Sequence, residues 1–336
     1  MTSSVPSLGL VGVGNWGKNH LRNFSALPGC RVDAICDRDP KVLERVRQSH
    51  PGAFVTDDYE ALLARPIDAV VISSSAVTHA PLGLAALRSG RDVFVEKPMA
   101  LTDADATAMV REAEAGKRIL MVGHLLLYHP AVELLKRLSE SGDLGEVYYL
   151  NCQRVNLGQI RKDENALWSL APHDLSVVGE ILTSAPVSVS ARGGAYIQRG
   201  VEDVVFLNVK YPGERMAHVQ VSWLDAHKIR SVMVVGSKKM AVFDDMESSE
   251  KVRIYDKGID PPDFVAYDQA PTLRFGDIVI PQLRMTEPLR IECQHYVDCV
   301  RDRKRPRTDG ESGLQVVRIL EAAQRSLERN GEPVAL

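Results

Sequence analysis

The chain has 336 residues, a net charge of -3, and 45% hydrophobic and 25% charged residues. That length exceeds a typical single core, so two domains are expected, and the near-balanced charge excludes a general pull toward nucleic acid or anionic membrane. Cys30, Cys36, Cys152, Cys293 and Cys299 contain no Cys-x-x-Cys pair, which favours reduced thiols in a cytoplasmic protein over disulfides or a zinc site, and no metal is expected.

The first apolar run, Leu8–Val11, follows no basic start and reads as a strand rather than a signal peptide. It leads into Gly12-Val13-Gly14-Asn15-Trp16-Gly17, the pattern G-x-G-x-x-G, and then into a helix from Lys18 to Leu27 with Leu21, Phe24 and Leu27 on one face. Between a strand and a helix, such glycines suit a dinucleotide. Gly12 makes the tight turn, Gly14 lets a diphosphate approach the backbone, and Gly17 lets helix and strand pack closely. Asn15 and Trp16 lie inside this turn and are expected to border the cofactor. A second run, Val32–Cys36, ends in Asp37, 20 residues past Gly17, where a carboxylate accepts from the adenosine ribose. Asp37 would repel a ribose phosphate, so NAD is expected; Arg38 beside it supports NADP as the alternative.

The alternation continues. A helix over Pro40–Ser49 is followed by a short helix capped by Thr56-Asp57-Asp58. An apolar strand at Ile67–Ser73 then meets the polar turn Ser73-Ser74-Ser75. A helix opens at Thr78 and contains His79. Val93–Val95 runs into Glu96-Lys97-Pro98, a helix spans about Asp103–Gly116, and Ile119–Val122 is one more strand, followed by Gly123-His124. This βαβ order implies a doubly wound parallel sheet of Rossmann type over residues 1–123, with ligands beyond the strands' carboxyl ends. Ser73, Ser74, His79, Glu96, Lys97 and His124 all fall at or just after such ends.

From 124 to 336 the pattern changes. Helices are expected at Pro130–Ser139, Pro172–Leu182, Pro288–Arg303 and Glu311–Glu328. Strands are expected at Val147–Val155, Val187–Ala191, Asp203–Tyr211, Met216–Leu224, Ile229–Val235 and Met240–Phe243, and Asp256–Thr286 reads as loop around a strand or two. Hairpin-joined strands give an α+β domain with a large, mostly antiparallel open sheet. The basic run Arg301–Arg307 at a helix end is explained by the helix dipole and solvation.

Two residues stand out for acid–base work. Lys97 sits at a strand end before a proline that restricts its backbone. Near a cationic nicotinamide its ammonium form would be disfavoured, leaving it able to take a substrate proton. His173, in Ala171-Pro172-His173-Asp174, is expected at the opening of a helix, where it can act as acid or base or simply cap. Arg154, Asn156, Arg161, Asn165 and Trp168 lie on or after the strand leading to it, and arginines suit diphosphate recognition.

The glycine turn, Glu96-Lys97-Pro98 and the second-domain histidine resemble the glucose–fructose oxidoreductase and inositol dehydrogenase family (Gfo/Idh/MocA) over nearly the whole chain. The resemblance implies that Lys97 and His173 are catalytic and that the protein is an oxidoreductase. It also implies homodimers or homotetramers formed through the open sheet. Three segments are similar to the nucleotide-sugar branch: Gly14-Asn15-Trp16-Gly17-Lys18-Asn19-His20-Leu21-Arg22-Asn23, Val122-Gly123-His124 with Tyr128-His129-Pro130, and Asn156-Leu157-Gly158 through Trp168 to His173-Asp174. That branch oxidises the 3-hydroxyl of UDP-N-acetylglucosamine (UDP-GlcNAc) or its uronic acid. On this reading His124, Arg154, Asn156, Arg161, Asn165, Trp168 and Asp174 face the sugar nucleotide. The family often carries Asp four residues before the histidine, where this chain has Ser169, which cannot place a negative charge beside an imidazolium. The alternatives are an NAD-dependent glycoside hydrolase using transient 3-oxidation, a non-enzymatic NAD-binding sensor, and a reductase acting on a keto sugar.

Overall fold

The structure, a computed structural model, describes residues 5–158, 160–161, 164–260 and 272–336. Its contacts divide the chain into two units, Met1–Tyr128 with Thr286–Arg318, and His129–Met285 with Ile319–Leu336. The helices in chain order are α1 Gly17–Ala26, α2 Pro40–Ser49, α3 Tyr59–Leu63, α4 His79–Arg88, α5 Asp103–Gly116, α6 Pro130–Glu140, α7 Ala166–Leu182, α8 Pro288–Asp302 and α9 Gly310–Glu328.

In the first unit the strands β1 Ser7–Val11, β2 Arg31–Cys36, β3 Phe54–Thr56, β4 Ala69–Ile72, β5 Asp92–Glu96 and β6 Leu120–Gly123 form one sheet ordered β3-β2-β1-β4-β5-β6. Every pair in it is parallel. Strands β1, β4, β5 and β6 are buried at every position, as a sheet covered on both faces requires. On one face Leu8, Leu10, Phe24 and Phe94 pack with Tyr296 and Val297; on the other, Val70, Ile72 and Val95 pack with Met109 and Leu314. Side chains of Asp39, Asp58 and Thr102 accept from backbone N–H groups at the starts of α2, α3 and α5, so these polar residues fix where the helices begin.

The expected division at residue 123 is corrected. His124–Tyr128 stay with the first unit, and Thr286–Arg318 return to it. The reason is the apolar stripe of α8, in which Leu289, Cys293, Tyr296, Val297 and Val300 complete the core that holds Phe24 and Phe94. Amphipathic spacing shows that a helix has a buried face, not which sheet it covers.

In the second unit β7 Val147–Val155, β8 Ser188–Gly194, β9 Val204–Lys210, β10 Met216–Ser222, β11 Ile229–Gly236, β12 Met240–Asp244, β13 Val252–Asp260, β14 Thr272–Val279 and β15 Val334–Ala335 form a sheet ordered β14-β13-β12-β11-β7-β10-β9-β8-β15. Its pairs are antiparallel apart from β7 with β10. Helices α6 and α7 lie on one face, and inward residues such as Leu150, Cys152, Val219 and Val232 are buried beneath them. The alternate residues Tyr149, Phe206 and Met216 are exposed. The segment read as loop around a strand or two carries the end of β13 and all of β14; residues 261–271 lie outside the described ones.

Helix α7 corrects a second expectation. It begins at Ala166, capped by the Asn165 side chain, which accepts from Trp168 N at 3.2 Å; Pro172 lies inside it. A proline there removes one i→i−4 bond. The helix is buried over most of its length, and that packing outweighs the lost bond. His173 is therefore a mid-helix residue, not a helix-opening one.

Candidate functional site

The glycine turn has the geometry a diphosphate needs. Gly12 has φ +82, and a Cβ there would lie 2.7 Å from Ser74 Cα and N. A Cβ on Gly14 would meet nothing within 4 Å, so that backbone is open. No side chain caps α1, and its first turn carries no acidic residue, which leaves the positive helix end available to an anion. Ser73 Oγ donates to Gly12 O at 2.8 Å, so Ser73 braces the turn. Ser74 pairs its hydroxyl with that of Thr78 at 2.6 Å. Asp37 closes β2 as expected, and its carboxylate accepts from Val13 N at 2.6 Å and Asp39 N at 2.9 Å. It pins the turn while keeping lone pairs for a ribose. Asn15 and Arg38 are exposed.

A Cβ on Gly17 would sit 1.9 Å from Gly12 O and 2.7 Å from Ser73 Oγ. Gly17→Ala is therefore expected to cost about 1–3 kcal/mol and to weaken NAD binding. A chemical denaturation curve and an NAD titration of the variant check both.

Glu96 organises the strand ends. One oxygen accepts from Trp16 Nε1 at 2.6 Å and faces His20 Nε2 at 2.7 Å; the other accepts from Lys97 N at 3.1 Å. Burial alone would push this carboxyl up, but the His20 bond and charge, Lys97 and Trp16 together hold it below the usual carboxylate range. Glu96 thus ties the glycine turn, α1 and the backbone of Lys97 together, rather than reaching outward to a cofactor. His79 is also turned inward. Its Nδ1 lies 2.8 Å from Pro98 O and its Nε2 3.1 Å from Ser74 O, and burial lowers its pKa.

His124 is 1% exposed, and neither ring nitrogen has a partner among the described residues. Burial lowers its pKa to about 4, with Glu96 opposing and Lys97 adding to the effect. The unfolded chain then takes up a proton below about pH 6.5 that the folded chain refuses until about pH 4. Stability that is fully present above pH 6.5 is thus lost as pH falls toward 4, by about 3 kcal/mol for this residue. Denaturation curves from pH 7 to 4 should show that slope in the native chain and a shallower one in His124→Gln.

Two participants escaped the sequence reading. His20 lies one turn after Trp16, fully buried, with Nδ1 3.8 Å from Cys293 Sγ. Glu292 occupies the apolar stripe of α8 between Leu289 and Cys293 and is 0% exposed. Neither of its carboxyl oxygens has a partner among the described residues. Burial, and then the charge of Glu96, push its pKa well up, which favours the protonated form of this carboxyl. A glutamate on an apolar helical stripe was the available signal.

In the second unit Arg154 and Asp174 meet each other. Arg154 Nε donates to Asp174 Oδ2 at 2.7 Å and Nη2 to Oδ1 at 3.1 Å, with both residues buried. Both were expected to face a substrate; the structure spends them on a fork that fastens α7 to β7, one residue from His173. Asn165 is likewise committed, capping α7 and donating to Glu202 at 2.6 Å and Gln324 at 3.0 Å. Arg161 is exposed and paired with Glu164 at 2.6 Å. Asn156 and Trp168 are half-buried beside the end of β7 and the start of α7. In the first unit the basic run at the end of α8 is largely absorbed by carboxylates, with Arg301 on Asp298, Arg303 on Asp92, Lys304 on Asp302 and Arg305 on Asp309. Among the described residues there is no group of His, Cys, Asp and Glu able to hold a metal, and no helix is long and apolar enough to cross a membrane.

Comparison with known proteins bears on this geometry. Residues 7–124 match the oxidoreductase family with an NAD-binding Rossmann fold, and residues 132–242 match the GFO/IDH/MocA C-terminal domain; together they cover more than half of the chain. The chain belongs to the Gfo/Idh/MocA family. Its first unit is thus an NAD-binding Rossmann domain, and the open turn at Gly12–Gly17 and the carboxylate of Asp37 fit that cofactor. Among Gfo/Idh/MocA relatives, inositol 2-dehydrogenase of Pseudomonas fluorescens is 35% identical over 54% of this chain and 56% of its own. The chain therefore spans about half the length of the inositol dehydrogenases it matches. UDP-N-acetylglucosamine 3-dehydrogenase GnnA of Acidithiobacillus ferrooxidans shares the fold with TM-score 0.83 at 20% identity, over 97% of this chain and 99% of that one. The WlbA dehydrogenase of Bordetella pertussis, crystallised with NADH and UDP-GlcNAcA, does so with TM-score 0.80 at 22% identity over 99% of each chain.

Proposed function

We propose that this chain is an NAD-dependent dehydrogenase that oxidises the 3-hydroxyl of a nucleotide sugar, UDP-GlcNAc or its uronic acid, to a 3-keto sugar. The observation that carries the reading is the placement of Lys97. It stands at the end of β5 with its backbone bound to Glu96, which is bound in turn to Trp16 of the glycine turn. The backbone of a lysine is thereby tied to the loop that receives the dinucleotide. Support for the substrate class comes from the two dehydrogenases that share the fold and are named for, or crystallised with, UDP-sugars.

NAD, when bound, supplies the hydride acceptor. The chain's own residues do the rest. Gly14 leaves the backbone open to the diphosphate, Gly12 and Gly17 let the turn and helix close on each other, and Asp37 accepts from the ribose. Lys97 in the first unit and His173 in the second are the two groups able to take up the proton of a substrate hydroxyl. Ser169, one turn before His173 on α7, brings no carboxylate charge to it. We also assign the exposed sheet face carrying Tyr149, Phe206 and Met216 to a homodimer or homotetramer.

The test is to mix the protein with NAD and a panel of UDP-sugars, free sugars and inositol and to follow NADH. NADH accumulating with a UDP-sugar and a 3-keto product supports the reading. Glycoside cleavage without net NADH would point instead to a hydrolase that oxidises transiently. Bound NAD with no reaction on any member would point to a sensor.

A further inference from the structure

Two arginines stand directly opposite each other in the second sheet. Arg154 on β7 and Arg230 on β11 are register partners in an antiparallel pair, so their side chains share one face. Like charges in that position repel and need anions nearby. Arg154 has its own, the buried Asp174. Arg230 does not. Its nearest carboxylate is Asp245, with Nη1 3.8 Å from Oδ2, beyond hydrogen-bond distance. Asp245 is also approached by Lys251 Nζ at 3.7 Å and His129 Nε2 at 3.8 Å. One carboxylate thus faces three nitrogen groups and holds none of them by a side-chain hydrogen bond.

The sum is an excess of positive charge. Arg154, Arg230 and Lys251 are set against Asp174 and Asp245, before His129 is counted. Lys251 is anchored by its bond to the Asp245 carbonyl at 3.0 Å, and its side chain is 16% exposed. The Arg230 side chain is 43% exposed, so it is half-desolvated yet reachable. Among the described residues no acceptor lies within hydrogen-bond distance of its guanidinium. Burial, and then the Arg154 charge, lower its pKa, with Asp245 and Asp174 opposing.

We infer that Arg230, supported by Lys251, is the binding site for an anionic group of the substrate, a phosphoryl or a carboxylate, and that Arg154 is not. A free guanidinium fork offers paired N–H donors to such oxygens, whereas the fork of Arg154 is already closed on Asp174. The inference rests on the reading above in taking the substrate to be an acidic sugar derivative. It also names the residue that would separate such substrates from neutral polyols.

The test is direct binding, independent of turnover. The full chain, saturated with NAD, is titrated by calorimetry with UDP, with D-glucuronate and with myo-inositol. Binding of UDP or of glucuronate, weakened about tenfold or more in Arg230→Gln and less in Lys251→Gln, is the expected result. UDP alone would identify the diphosphate as the group held; glucuronate alone would identify the carboxylate. Arg230→Lys keeps the charge without the fork and should fall between, and it replaces Arg230→Gln if that variant does not fold. Equal affinities in the native chain and the Arg230 variants, or no anion binding by the native chain, would overturn the inference. If UDP binds through Arg230 yet no nucleotide sugar yields NADH, the anion site stands and the proposed reaction falls.

Discussion

Lys97→Ala is expected to lower NADH formation by roughly 10²–10⁴-fold while leaving NAD affinity nearly unchanged. The backbone N–H of residue 97 donates to Glu96, so the alanine variant keeps that bond along with those of Trp16 and His20. The loss should appear in kcat, and an NAD titration followed by tryptophan fluorescence should superimpose on that of the native chain. Turnover within a factor of a few of the native rate would remove Lys97 from the chemistry.

The second large effect is on stability. Asp174→Ala leaves the Arg154 guanidinium buried beneath α7 without its carboxylate, which is expected to cost about 3–5 kcal/mol. Removing both charges in Arg154→Leu with Asp174→Ala should recover much of that loss, because the uncompensated charge is then gone. Urea denaturation of the single and double variants measures the difference. A substrate-binding pair would behave otherwise: both single variants would stay near native stability, and the double variant would recover nothing.

The first unit was legible because its signals are local. Continuous apolar runs mark β1, β4 and β5, and Asp39 and Asp58 mark helix starts. The glycine turn and Asp37 sit where their spacing placed them. What stayed hidden depends on partners far along the chain. Glu96 reads as part of a tripeptide; that it is ringed by Trp16 and His20 can be known only once α1 lies beside β5. Arg154 and Asp174, 20 residues apart, both looked free for a ligand until β7 and α7 brought them together. The three-residue β3 and two-residue β15 are too short to carry a period. Pro172 illustrates the opposite failure: a strong local rule, that proline opens helices, gave way to burial of the helix around it.

The return of α8 to the first unit has a consequence for how the chain matures on the ribosome. A nascent segment ending at Tyr128 contains every strand of the nucleotide-binding sheet but not Cys293, Tyr296 or Val297, against which Phe24 and Phe94 close. Until α8 is translated, those two rings have no cover on that side. The early product should bind hydrophobic dyes and invite chaperones. A truncated gene expressing residues 1–128 alone should yield aggregated material, and supplying α8 through a short artificial linker should restore solubility.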